Sequence, residues 1–125
     1  MAEVDPQPKR FRELMVDNEP GFEEVLTCVF GVQHHEARTY LTLLEQPGST
    51  VSELATTLDR DRSNVNRSLS TLREKGLASR ERRLLDGGGH VYQYTATPLD
   101  DARELMHDTL EEWAAYVHER IDGFG

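Results

Sequence analysis

The sequence predicts a mainly helical domain that carries one small β-hairpin and ends in a long C-terminal helix. Three observations lead there. Apolar residues recur at three- and four-residue steps along most of the 125-residue chain, the period of helices that bury one face. That period yields to extended-favouring residues only in "LASRERRLL" and "HVYQYTAT", which flank "DGGGH". Beyond Thr97-Pro98 the helical pattern then continues to about Asp122.

Each element follows in order. Residues 1–20 read as an N-terminal arm punctuated by Pro6, Pro8 and Pro20, with a short helix in "KRFRELMV". "GFEEVLTCVFG" sets Phe22, Val25, Leu26, Val29 and Phe30 at helical spacing, and Gly31 is the stop. "HHEARTYLTLLEQPG" repeats the pattern with Ala37, Tyr40, Leu41 and Leu44 on one face, and Pro47-Gly48 ends it. "STVSELATTLD" opens on a capping box, in which Thr50 and Glu53 satisfy each other's amides. Leu54, Ala55 and Leu58 face inward. Asp61 then offers an N-cap for "RSNVNRSLSTLREKG", and Gly76 suits the position after its end.

Two short helices joined by about three residues have the spacing of a helix-turn-helix. A hairpin directly after the second helix, with the flexible Gly87 to Gly89 at its tip, makes residues 21–97 a winged helix-turn-helix. Thr97 is expected to cap the last helix, with Pro98 in its first turn and Asp100 completing a capping-box-like pattern. That segment, residues 98–125, carries a stripe of Leu99, Ala102, Met106, Leu110, Trp113, Val117 and Ile121, which Phe124 extends. A helix of roughly 37 Å outruns so small a domain. Its stripe needs a second surface, and the simplest is its own copy in a homodimer.

Composition narrows the function classes. No run approaches the roughly 18 to 20 apolar residues that span a bilayer, and "MAEVDPQPKRF" lacks the apolar core of a signal peptide. A cytoplasmic protein with no membrane partner is expected. Cys28 is the sole cysteine, which rules out an internal disulfide or a cysteine metal cage. It is expected as a small buried hydrophobe on the apolar side of its helix, with a redox-sensing thiol or an intersubunit disulfide as the alternatives. The formal net charge is −9, from 23 acidic residues against 12 arginines and only Lys9 and Lys75. An acid-rich, lysine-poor surface suits a cytoplasm of high ionic strength, as in a halophile.

The cations are not spread evenly. From Arg60 to Arg83 there are eight basic and three acidic residues, leaving six basic and twenty acidic elsewhere. This span is +5 against a background of −14. On a helical wheel, Leu69 and Leu72 fall within roughly 40° of Val65 and make a buried rail. Ser63, Arg67, Ser70 and Glu74 lie opposite, with Asn64, Asn66 and Thr71 flanking them. Arg can donate two bonds to guanine, and Asn can pair with adenine, across a major groove. The N-terminal half of such a helix carries the base contacts, which singles out Arg62, Ser63, Asn64, Asn66 and Arg67. Thr50 and Ser52 can meet a phosphate, and Arg80, Arg82, Arg83 and His90 in the wing can reach the backbone or a minor groove. The expected partner is double-stranded DNA.

"EARTYLTLL" and "TVSELATTLDRDRSNVNRSLSTLREKGLASR" resemble the winged helix-turn-helix domains of archaeal TrmB-like and MarR-like transcription regulators. The matching core covers Glu36 to about Tyr94, and its specific parts are "EARxYLxLL", "SELA" and "LxxLxEKGL". The resemblance implies a homodimer on a pseudo-palindromic promoter site, with the terminal helices as its seam. The acidic, arginine-over-lysine version suggests a haloarchaeal, oxidative-stress-responsive member. The chain departs from full-length sugar-sensing members by ending after the last helix, so no sugar-binding domain is expected.

His107 and His118, three turns apart, resemble half of the terminal-helix site of zinc-sensing repressors, but Leu105 and Ile121 stand where that pattern wants carboxylates. No phosphate loop, HExxH or Ser/His/Asp context is present, so neither an enzyme nor a cofactor is expected. A module whose basic face binds an acidic protein is the remaining alternative. A halophilic protein cannot lean on counterion release. Cations bridging Glu53, Asp59 or Asp61 to phosphate are therefore expected at the DNA interface.

Overall fold

A computed structural model describes residues 21–125, and the arm expected over residues 1–20 lies outside them. The described chain runs α1 (Phe22–Phe30), α2 (His34–Glu45), α3 (Val51–Leu58), α4 (Arg62–Glu74), β1 (Ala78–Leu84), β2 (His90–Ala96) and α5 (Leu99–Asp122). It is the mainly helical fold with a hairpin wing that the sequence predicts. None of these helices is long and apolar enough to cross a membrane.

One core joins all seven elements. Leu26, Tyr40, Leu43, Leu54, Val65, Leu69, Leu72, Leu77 and Ala102 are fully buried within it. The rail of α4 is thus complete, as the wheel predicts. In α2 the pattern is less decisive. Leu43 takes the core position, while the predicted Leu41 and Leu44 are only partly buried.

The helix ends obey their local chemistry. Glu53 N donates to Thr50 Oγ1 at 3.2 Å, and Thr50 N donates to Glu53 Oε1 at 2.9 Å. The capping box at α3 is therefore closed on both sides. Asp61 holds the N-cap position of α4, yet its carboxylate makes no capping bond. After α4, Gly76 adopts φ +79°, and Leu77 N donates to Leu72 O at 2.8 Å. A side chain there would be strained and would press on Leu105 Cδ2, 3.2 Å from the added Cβ.

Thr97 does not cap α5. Pro98 takes the N-cap position, and no side chain caps that helix. Asp100 accepts instead from Arg103 Nη1 at 2.9 Å, an exposed pair of small value. The reason lies at the corner between α4 and β1, where two carbonyls need donors. Thr97 Oγ1 donates to Gly76 O at 2.7 Å, and Thr97 N donates to Leu77 O at 2.8 Å. Its own carbonyl accepts from Tyr40 Oη at 2.8 Å. Thr97 ties the wing's base to the end of α4 and to α2.

The hairpin is antiparallel, pairing Ala78 with Ala96 through Leu84 with His90. A further bridge, unexpected from the sequence, joins Ser49 to Tyr94. Tyr94 N donates to Ser49 O, and Gly48 N donates to Tyr94 O, both at 2.8 Å. The segment before α3 is thereby fixed against the wing.

Candidate nucleic-acid interface

Because its rail is buried, α4 shows solvent a polar face. Arg62, Ser63, Asn66, Arg67 and Ser70 are exposed, and Asn64 and Thr71 are half-buried. Arg67 Nη2 donates to Asn64 Oδ1. One arginine and one asparagine of this face therefore hold each other.

The helix is flanked by two depressions. Towards the wing, one is lined by Thr50, Ser52, Arg62 and Asn66 together with Arg80, Val91, Tyr92 and Tyr94. The start of α3, helix α4 and the wing thus converge on one groove. Ser52 is exposed, and Thr50 is half-buried with its hydroxyl already used as a cap. On the other flank, Asn64, Arg67, Ser68 and Thr71 face Gln33, His35, Glu36 and Arg60.

The wing's cations do not act as one set. Arg80 pairs with Tyr94, Arg82 with Tyr92 and Leu84 with His90, so these six share one face. Arg83 alternates to the other face, with Glu81. The groove-side face is organised by aromatic rings. The Arg80 guanidinium carbon lies 3.9 Å from the Tyr92 ring centroid, and Nη1 donates to Tyr94 Oη at 3.4 Å. His90 meets Tyr92 edge-on with centroids 5.3 Å apart, and Arg82 Nη2 lies 3.4 Å from His90 Nδ1. In the sequence Tyr92 and Tyr94 signal only extended backbone. The hairpin register around the glycine tip was the signal that sets them opposite arginines.

The predicted α5 stripe divides along its length. Ala102 and Met106 are buried in the chain's own core, and Leu99 and Val117 are half-buried. Leu110, Trp113, Tyr116, Ile121 and Phe124 are exposed, Trp113 at 62 %. Ala102 and Met106 are thus already covered within the chain itself.

Cys28 is exposed, not buried. Leu26 and Phe30 centre the buried side of α1, and Cys28 lies two residues, roughly 200°, from each. It borders a shallow groove with Val29, Phe30, Gly31 and Trp113. His107 and His118 are both exposed on α5. Among the described residues no three metal-ligating side chains cluster.

The family described as "Sugar-specific transcriptional regulator TrmB" matches residues 26–100, from α1 through the wing to the start of α5. The chain belongs to the TrmB family. A Methanocaldococcus jannaschii relative, described as uncharacterized, is 34 % identical over 102 residues, covering 82 % of this chain and 84 % of its own. A solved structure of a possible transcriptional regulator from Methanosarcina mazei matches with a TM-score of 0.72 at 26 % identity, over 82 % of this chain and 87 % of that one. TrmBL2, an archaeal chromatin protein described as showing a novel mode of DNA binding, matches with a TM-score of 0.61 at 22 % identity, over 80 % of this chain and 35 % of its own. At that identity the likeness shows the fold alone. The TrmB match spans the helix-turn-helix and wing, which hold every candidate DNA contact named above.

Proposed function

We propose that this TrmB-family chain is a transcription regulator that binds double-stranded DNA sequence-specifically, as a homodimer on a pseudo-palindromic promoter site. One observation carries the reading. A helix with a fully buried rail turns Ser63, Asn66, Arg67 and Ser70 outward, in the most basic span of an acidic chain. In this reading Arg67, Asn64 and Asn66 meet base edges. Ser52, Thr50, Arg80 and Arg82 meet phosphates. Arg83, on the far face of the wing, contributes only to the general field.

The bare end of α5 supports the homodimer, because Leu110, Trp113 and Ile121 form an apolar face that no described element covers. Two copies joined there would set their reading helices into successive major grooves, about 34 Å apart. A halophilic setting follows from the acidic, lysine-poor surface. Asp59 and Asp61, both exposed, are the carboxylates left to bridge cations to phosphate, since Glu53 is engaged by Thr50. The exposed Cys28 beside Trp113 makes an oxidant response testable. Cys28→Ser should abolish it, and a response that survives the change rules the thiol out.

The deciding experiment is a gel shift with promoter fragments and random DNA across a KCl series. We expect specific shifts with a shallow salt dependence. No shift at any salt would overturn DNA binding, and a steep loss between low and high KCl would overturn the bridging cations.

A further inference from the structure

The flank of α4 turned away from the wing carries two buried polar groups that find no partner among the described residues. Ser68 is 1 % exposed, and its Oγ has no hydrogen-bond partner. Nη1 of Arg60 is buried without a partner as well. Both residues line the depression shared with Gln33 and Glu36 at the start of α2 and with Arg67 of the reading helix. An unmet buried donor loses its water and gains nothing in exchange. Such groups mark a place where an acceptor belongs.

The local charge says which acceptor. Arg60 and Arg67 oppose a single carboxylate, Glu36, and its Oε1 already accepts the Gln33 amide at 2.7 Å. The lining of the depression thus carries two arginines against one carboxylate, while Asp59 and Asp61 border Arg60 in the neighbouring depression. The anion-facing depression also lies at the N-terminal end of the 12-residue helix α2, where the peptide dipoles favour an anion. We propose that this depression binds an oxyanion of the phosphate class, with Arg60 and Ser68 donating at its base and Arg67 at its rim.

Two sources supply that chemistry. A DNA backbone phosphate could dock here, on the side of the reading helix opposite the wing, in which case the site rests on the DNA-binding reading. A free phosphate could occupy it instead, drawing Arg67 off the bases and weakening DNA binding.

The full chain should be titrated with inorganic phosphate at constant ionic strength while amide shifts are followed by NMR. Its DNA affinity should be measured in parallel, with Arg60→Gln, Arg60→Lys and Ser68→Ala as variants. Shifts centred on Arg60, Ser68 and Gln33, lost in Arg60→Gln and weakened in Ser68→Ala, establish a free-anion site. Silence to free phosphate, with Arg60→Gln weakening all DNA sequences severalfold and lowering the salt slope by about one, establishes a backbone-phosphate site. Arg60→Lys, which keeps the charge, should retain most of either effect. If Arg60→Gln melts early, Ser68→Ala carries the same comparison, since it removes a hydroxyl the fold does not use. If free phosphate shifts none of these amides and neither Arg60→Gln nor Ser68→Ala changes DNA affinity, the proposal is overturned. Wild-type protein that ignores DNA sinks the DNA-binding reading alone, and the phosphate titration then decides this site by itself.

Discussion

Helices α4 and α5 are both amphipathic, yet they complete their apolar faces differently. In α4, Val65, Leu69 and Leu72 are fully buried inside the chain, and everything left outside is polar. In α5 only the first half is treated that way. Ala102 and Met106 are in the core, whereas Leu110, Trp113, Tyr116 and Ile121 face solvent. A polar face is stable in water and can wait for its partner. An apolar face of this length gains by being covered. In the proposed reading the contrast separates two kinds of partner: a hydrated, charged one for α4 and an apolar one for α5.

The largest effect should come from the finished side of α4. Leu69→Ala removes a fully buried side chain from the contact between α4 and the rest of the core. It should cost about 2–5 kcal/mol of stability, read as a lower urea midpoint with an unchanged slope. Trp113→Glu should do the opposite kind of damage. It should leave the melting of the domain nearly intact and shift sedimentation from dimer to monomer, a loss of at least about 2 kcal/mol in association. If Trp113→Glu unfolds the domain, or leaves the dimer whole, then the distal half of α5 is not the seam.

These two helices also show how far the sequence could be read. The rail of α4 was legible because its apolar residues are few and strictly spaced. Its capping box partner, α3, was legible for the same reason: Thr50 and Glu53 signal only through local backbone. Where tertiary contacts choose among equivalent candidates, periodicity was not enough. "LTLLE" offers Leu41, Leu43 and Leu44, and the packing of α2 against α4 and β2 selects Leu43. Thr97 looked like a cap because capping is local, but two carbonyls from the corner after α4 compete for it. Cys28 was placed among hydrophobes by its neighbours in sequence, although the wheel puts it across from Leu26 and Phe30. In the sequence Arg60 counts only towards the basic span and Ser68 gives no signal, because an unmet polar group is visible only once the surroundings are built.

Smaller effects should divide the interface itself. Arg67→Ala removes the exposed guanidinium at the centre of the reading face. It should cost about 1–3 kcal/mol of discrimination at one position per half-site and relax the preference there. Arg82→Ala should weaken all sequences alike and lower the salt slope by about one. Arg83→Ala, on the opposite wing face, should change less than Arg82→Ala. Binding series with single base changes would show this, and equal behaviour of Arg67→Ala and Arg82→Ala would remove the division between bases and phosphates.

The smallest effect concerns the start of α3, where structure and interface share residues. Thr50→Ala removes the cap and should cost about 1 kcal/mol of stability. The capping box also makes that stability depend on pH. The amide and hydroxyl of Thr50 hold the Glu53 carboxyl below its ordinary value of 4.5. A carboxyl with a lowered folded value stabilises the fold above its unfolded value and loses that contribution as pH falls through the lower folded one. Acid titration of the urea midpoint should therefore show a limb below the ordinary glutamate range that flattens in Glu53→Gln. The amide of glutamine can still accept from Thr50 N, so helix α3 should survive the change. A limb of equal steepness in Glu53→Gln would assign the acid sensitivity to other carboxylates. It would leave the capping box a purely geometric device for presenting Ser52 to a phosphate.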